Sequence, residues 1–227
     1  MRPDIRFCGD RAVTLCFQQE ISPAVNAAVC GFASRFSAIG LEGVIEIVPT
    51  YCAVTIHFDP AVLDLGLLIS SIEASSQQLD EAPTEKAETV VVPVAYGGEF
   101  GPDMANVMAY TGLTDGEIIR RHSEREYLIY MLGFTPGFPY MGGMDESIAT
   151  PRLNTPRTAI PSGSVGIAGS QTGVYPIASP GGWQLIGRTP LKLFDIEREN
   201  PFLLKAGQKV KFTPISAEEY ERMANDD

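Results

Sequence analysis

The 227-residue chain carries 28 Asp and Glu against 17 Lys and Arg, a formal net charge of −11, with 44% apolar residues. That composition supports a globular core in one large domain or two small ones, and an acidic balance of this size excludes nucleic acid as the expected partner, because phosphates are neutralised mainly by Lys and Arg. No apolar run approaches the ~18 residues of a membrane span, and the first residues are charged, so a soluble cytoplasmic protein with no membrane partner is expected.

Residues 5–8 and 12–17 read as two short strands joined by the Gly9-Asp10 turn. Ser22-Pro23 supplies an N-cap and an N1 proline for a helix running to about Ile39, with Gly40 as its stop. Residues 44–48 and 53–58 are the next strands. Asp59-Pro60 repeats the start signal for a second helix whose apolar face would hold Val62, Leu65, Leu68, Ile69 and Ile72. The order β-β-α-β-β-α predicts a small antiparallel sheet covered by two helices, an α+β domain over residues 1–85. Cys8, Cys16, Cys30 and Cys52 all fall here without a C-x-x-C pair and read as buried, reduced thiols acting as small hydrophobes.

The stretch 80–88, DEAPTEKAE, is charged, holds a proline and lacks large apolar residues, which marks a linker. Beyond it, 89–95 reads as a strand, 103–110 and 115–122 as short helices, and 127–132 as another strand. Then come short apolar pieces between turns: 165–168, 174–177, 183–186, 191–194 and 209–212. Many short strands with Gly and Pro corners predict a closed or nearly closed, mainly-β barrel over residues 86–227.

No phosphate-binding G-x-x-x-x-G-K-[ST] and no strand-linked G-x-G-x-x-G is present, so any nucleotide is held another way. Ser162-Gly163-Ser164-Val165-Gly166 lacks the first glycine of a nucleophile elbow. The chain has two histidines. His57 lies within a strand and reads as structural, whereas His122 closes a polar helix, where a helix-end cation and a functional group are both open readings. No metal site is expected from so few histidines without paired carboxylate spacing.

Residues 147–194 contain no Asp or Glu and carry Arg152, Arg157, Arg188 and Lys192. Residues 131–190 also hold 11 of the 22 glycines and 8 of the 17 prolines, a density that favours fixed turns and close backbone approach. A rigid, glycine-lined cleft with positive walls would suit a small anion. Phe134, Phe138 and Tyr140 would supply apolar walls or plug one end of the barrel. Ser162, Gly163, Ser164 and Gly166 would offer hydroxyls and unshielded amides. Alternation along 183–188 places Gln184 and Arg188 on one face, able to point at one ligand.

The segments YMLGFTPGFPYMGG (130–143), PRLNTPR (151–157), IPSGSVGIAGSQTGVYP (160–176) and SPGGWQLIGRTP (179–190) together resemble the family of 5-oxoprolinase B-type subunits, also called KipI-like or allophanate hydrolase subunit 1. The resemblance runs from the Gly9-Asp10 turn through YGGEFGPD (96–103) to the Lys205-Ala206-Gly207-Gln208 turn. It implies a small α+β domain followed by a cyclophilin-like barrel. It also implies one component of a heteromeric complex, inactive alone, that pairs with a larger C-type subunit, and with an A-type protein, to open 5-oxo-L-proline to L-glutamate. ATP with Mg would be used in the assembled complex, activating the lactam oxygen, with no cofactor bound on this chain alone. A KipI-like inhibitor of a histidine kinase and a urea carboxylase component are the alternatives that the same resemblance implies.

Within that picture Arg188 or Arg157 would take the substrate carboxylate, and Gln184 with Gln171 the amide. Phe134, Phe138, Tyr140 and Tyr175 would line the substrate. Amides near Ser162, Gly163, Ser164 and Gly166 would hold phosphate or an oxyanion, and His122 would be the general acid/base.

Overall fold

The computed structural model describes residues 3–20, 22–77 and 87–226. The chain divides into two compact units, Met1–Lys86 and Ala87–Asp227. The expected linker lies outside the described residues except for Ala87 and Glu88.

In the first unit, strands β1 (Asp4–Phe7), β2 (Ala12–Cys16), β3 (Val44–Pro49) and β4 (Ala53–Phe58) form a sheet of order β1-β2-β4-β3, antiparallel throughout. Helix α1 (Pro23–Ile39) begins where Ser22 Oγ accepts from the Val25 amide and ends at Gly40, whose φ of 62° closes the last turn. Val25, Val29, Phe32 and Phe36 from α1 pack with Val13, Leu15, Val54 and Ile56, and Phe32 stacks on Phe36 at 5.5 Å. Burying each of these side chains contributes about 1.5–3 kcal/mol.

Two expectations for this unit fail. Helix α2 is Leu65–Gln77, and Val62 and Leu65 are exposed. Asp59 makes a separate turn, accepting from the amides of Val62 and Leu63, which seats Leu63 beside Gly43. Asp64 then caps the helix by accepting from Leu67 N at 3.1 Å. The cysteines are free but not core residues: Cys8 is exposed and the other three are half-buried. Cys16 shares its strand face with half-buried Thr14, whereas Val13 and Leu15 take the inward positions.

The second unit contains β5 (Thr89–Tyr96), helices α3 (Met104–Thr111) and α4 (Asp115–Ser123), then β6 (Glu126–Leu132), β7 (Pro139–Gly142), β8 (Arg157–Ile160), β9 (Ser164–Ala168), β10 (Gln171–Val174), β11 (Ser179–Gly181), β12 (Gln184–Arg188), β13 (Lys209–Ile215) and α5 (Ala217–Asp226). Seven strands close into a barrel in the order β10-β7-β6-β13-β5-β12-β9, with β8 and β11 as a separate ribbon. All barrel pairs are antiparallel except β13 on β5, which run parallel from Lys209↔Thr89 to Ile215↔Ala95. Alternate residues such as Val92, Val94, Ile129, Val165, Ile167, Ile186, Val210 and Phe212 fill the interior.

The closed barrel expected from the short strands is present, with three local differences. Residues 191–194 form no strand, only a bridge of Phe194 to Phe202. The strand expected at 174–177 lies earlier, at Gln171–Val174, because Pro176 has no amide for a ladder. Pro139–Gly142, not among the pieces expected as strands, forms β7.

Strand β12 carries a register shift between Leu185 and Gly187, and residues 97–103 clamp onto it. Gly97 N donates to Ile186 O at 3.0 Å, and Asp103 N to Leu185 O at 2.9 Å. A Cβ on Gly101 would collide with the Ile186 carbonyl. Gly101→Ala should therefore lower stability by about 3 kcal/mol or more in denaturant unfolding. Gly116→Ala, which meets open space inside α4, should be neutral or stabilising by up to about 1 kcal/mol.

Candidate functional site

A strand bulge leaves a backbone amide without its ladder partner, and buried amides demand an acceptor. At β12 that acceptor is Asp103, which occupies the N-cap position of α3 yet makes no side-chain cap bond. Its Oδ2 accepts from Leu185 N at 2.7 Å, and its Oδ1 accepts from Arg157 Nη2 at 2.6 Å. Asp103 is buried, while the Arg157 side chain is 31% exposed. Asn106, one turn into α3, donates to Gln184 Oε1 at 3.4 Å, and Gln184 Nε2 donates to Pro151 O at 2.9 Å. The structure thus brings Arg157 and Gln184 together through two residues, Asp103 and Asn106, to which the sequence pattern assigned no role. Arg157 retains one free donor: its buried Nη1 has no hydrogen-bond partner among the described residues.

The acid/base role expected for His122 does not fit. The residue is fully buried, stacked on Phe212 at 4.6 Å, and both ring nitrogens are occupied. Thr172 Oγ1 gives its hydrogen to Gly166 O at 3.0 Å, so it accepts from His122 Nε2 at 2.8 Å. Nδ1 is then bare and accepts from Tyr96 Oη at 2.8 Å. Burial holds the imidazole neutral and pushes its pKa down to about 3. His122 is a neutral strut between strands, without solvent or substrate access.

The glycines have a different role from the expected cleft. On the outer barrel face, Phe138, Tyr175, Trp183, Ile160, Ala168 and Leu185 form a second apolar layer, with Tyr140 packed against it. Phe138 meets Tyr140, Tyr175 and Trp183 edge-on at 5.1–5.4 Å. A Cβ on Gly173 would lie 2.8 Å from the Phe138 ring, and one on Gly181 would lie 2.7 Å from Ile160 Cδ1. Ring packing, rather than an open anion path, takes up the space beside these glycines.

Other expected positions fall elsewhere. Gly163 N donates to Tyr175 O and Ser164 N to Pro161 O, and Gly166 lies in the ladder between Gly173 and Leu185, so this loop makes no phosphate cradle. Arg188 Nε donates to Ser162 O at 2.9 Å, whereas Gln184 is tied to Pro151, so the two do not converge. Four residues along a strand also separate them by roughly 13 Å. By alternation Gln171 lies on the outer face with Gly173 and Tyr175, away from Gln184 at the α3 end. Phe134 is 64% exposed and edge-on to Phe138 at 5.8 Å.

Residues 3–204 match the family described as carboxyltransferase domain, subdomain C and D. The chain belongs to this family. It is 44% identical, over 97% of its length, to the B-type subunit of Bacillus subtilis 5-oxoprolinase, and covers 96% of that protein. The crystallised protein TTHA0988 is 33% identical and superposes with a TM-score of 0.80 over 91% of this chain, which spans about 40% of that protein. The carboxyltransferase fold also recurs in urea carboxylase of Kluyveromyces lactis, at 21% identity and a TM-score of 0.71, covering 98% of this chain and 22% of that one.

Two measurements check the buried groups of this carboxyltransferase-family barrel. The unfolded state protonates His122 near 6.5 and the folded state only near 3. The stability this residue contributes is therefore complete above pH 6.5 and lost as pH falls toward 3, by up to about 1.4 kcal/mol per pH unit. In His122→Gln, the unfolding free energy between pH 6.5 and 4 should lose that slope relative to wild type. Asp103→Asn keeps an acceptor for Leu185 but removes the charge facing Arg157. It should cost about 2 kcal/mol, and a double-mutant cycle with Arg157→Gln should return a coupling of about 1–3 kcal/mol.

Proposed function

We propose that this chain is the B-type component of an ATP-dependent 5-oxoprolinase, acting with a larger C-type subunit, and with an A-type protein, to convert 5-oxo-L-proline to L-glutamate. The observation that carries this reading is the 44% identity to a protein of that name over nearly the full length of both chains. The closed barrel is taken as cyclophilin-like, and the protein as cytoplasmic. No helix among the described residues is long and apolar enough to cross a membrane.

The chemistry assigned to this chain is substrate holding. Amide resonance makes direct hydrolysis of a lactam slow, so an assembly that opens one gains from fixing the ring while its carbonyl is activated. The loop 162–166 does not fit a phosphate, because the Gly163 and Ser164 amides are already spent on carbonyls. ATP and Mg are therefore assigned to the partner proteins. Arg157 is the residue proposed for the substrate carboxylate, because its guanidinium is held in place by Asp103 while the side chain stays 31% exposed. Arg188, held on Ser162, lies outside this role.

Pull-down of the tagged chain from its own cell extract should recover a larger partner and confer ATP hydrolysis that depends on 5-oxo-L-proline. A purified complex with no such dependence would sink the reading, and biotin-dependent turnover would replace it with a urea carboxylase component. In the active complex, Arg157→Lys keeps the pair with Asp103 but removes the second nitrogen. It should lower kcat/KM by about 10–100-fold. Arg188→Ala should leave kcat/KM within about 2-fold of wild type.

A further inference from the structure

The loop between β6 and β7 holds one aromatic ring in solvent at a backbone cost. Phe134 has a φ of 68° and is the one non-glycine among the described residues with a positive φ. The Thr135 amide donates to Gly133 O across it at 2.8 Å, closing a three-residue turn of the strained kind. Thr135 O then accepts from Phe138 N at 3.1 Å, which makes a second turn through Pro136 and Gly137. Phe134 is nevertheless 64% exposed. A strained conformation persists where something recovers its cost, and a ring left in water recovers nothing.

Further apolar surface adjoins this turn. A Cβ on Gly137 would stand 3.3 Å from the Phe202 ring and 3.5 Å from Phe194 Cβ, and the Phe194 and Phe202 rings meet at 5.3 Å. Phe202 is exposed, and so is Ile196, on the loop that the Asp195 amide closes by donating to Pro201 O. The same loop carries Glu197 and Glu199, both exposed and without an ion pair among the described residues, whereas Arg198 is taken up by Asp195 at 3.5 Å.

Charge decides what covers these rings. A second copy would bring the same glutamates against each other, and an anionic membrane would be repelled in the same way. A protein surface with an apolar pocket and a basic rim fits both the rings and the acids. TTHA0988 carries this fold on a chain of which the present one spans 40%, so a larger remainder stays attached there covalently. The Bacillus subtilis subunit has no such remainder, since this chain covers 96% of it, and a subunit of that size meets a partner by surface contact.

We propose that Phe134 and Phe202, edged by Glu197 and Glu199, are the docking surface for the larger C-type subunit, which offers an apolar pocket within a basic rim. The identity of that partner rests on the 5-oxoprolinase reading. The strained turn presets the Phe134 ring, so little conformational freedom is lost when the pocket takes it.

Phe134→Gly tests the assignment, because glycine accepts this φ without strain while the ring is deleted. The isolated variant should unfold within about 2 °C of wild type or above it. Its dissociation constant for the C-type subunit, purified from the complex, should rise by about tenfold or more. Glu197→Lys combined with Glu199→Lys, on the surface, should also weaken association by about tenfold. Wild-type affinity in either variant overturns the proposal. A larger fall in the Phe134→Gly unfolding midpoint also overturns it, since the ring would then serve packing. So does a wild-type dimer in sedimentation that Phe134→Gly converts to monomer, which would give the face to a second copy. A complex that turns over 5-oxo-L-proline yet holds Phe134→Gly as tightly as wild type refutes the docking surface alone. A wild type that binds no larger subunit removes both readings.

Discussion

One buried carboxylate joins three segments that are distant in the chain. Asp103 holds the amide that the β12 bulge frees, fixes the start of α3 against that bulge, and anchors Arg157 of β8 at 2.6 Å. Buried ion pairs are weak contributors to net stability because desolvation offsets attraction, so the value of this one lies in position. It sets where the guanidinium stops. With Nη2 committed to the acid, the buried Nη1 is left without a partner among the described residues.

The outer aromatic layer explains two of the glycines of residues 131–190, Gly173 and Gly181. A barrel strand with side chains on both faces could not accept the rings of Phe138, Tyr175 and Trp183 at the observed distances. Gly173 and Gly181 remove the obstructing Cβ atoms. The outer face thereby becomes a second core under the β8–β11 ribbon, and the arginines of 151–157 lie along its rim. Electropositive character and glycine content do coincide there, but Gly173 and Gly181 make room for rings, while Arg152 and Arg157 of the neighbouring segment carry the charge.

Elements governed by local rules were legible in the sequence. Ser22-Pro23 and Gly40 bound α1 as their capping chemistry requires, alternating residues mark β4, and a run of valines marks β5. Asp59-Pro60 carried the same start signal as Ser22-Pro23, yet burial of Leu63 against Gly43 forces a separate turn first. The site was harder to read because its central pair is 54 residues apart, and the lack of acids within 147–194 says nothing about an acid arriving from α3. His122 misleads for a related reason: its position at a polar helix end is visible in the sequence, but the Tyr96 and Thr172 hydroxyls that occupy it come from two different strands.

The parallel pairing of β5 with β13 also constrains how the protein is made. Glu88 and Gln208, hydrogen-bonded beside the first rungs of that ladder, are 120 residues apart. As the polypeptide leaves the ribosome, β5 emerges with both edges unsatisfied, because its neighbours β12 and β13 are made later, and β13 follows every other barrel strand. Closure is therefore a late, long-range event with a large loop entropy to overcome, and until it occurs the nascent unit presents an open sheet edge that chaperones must shield.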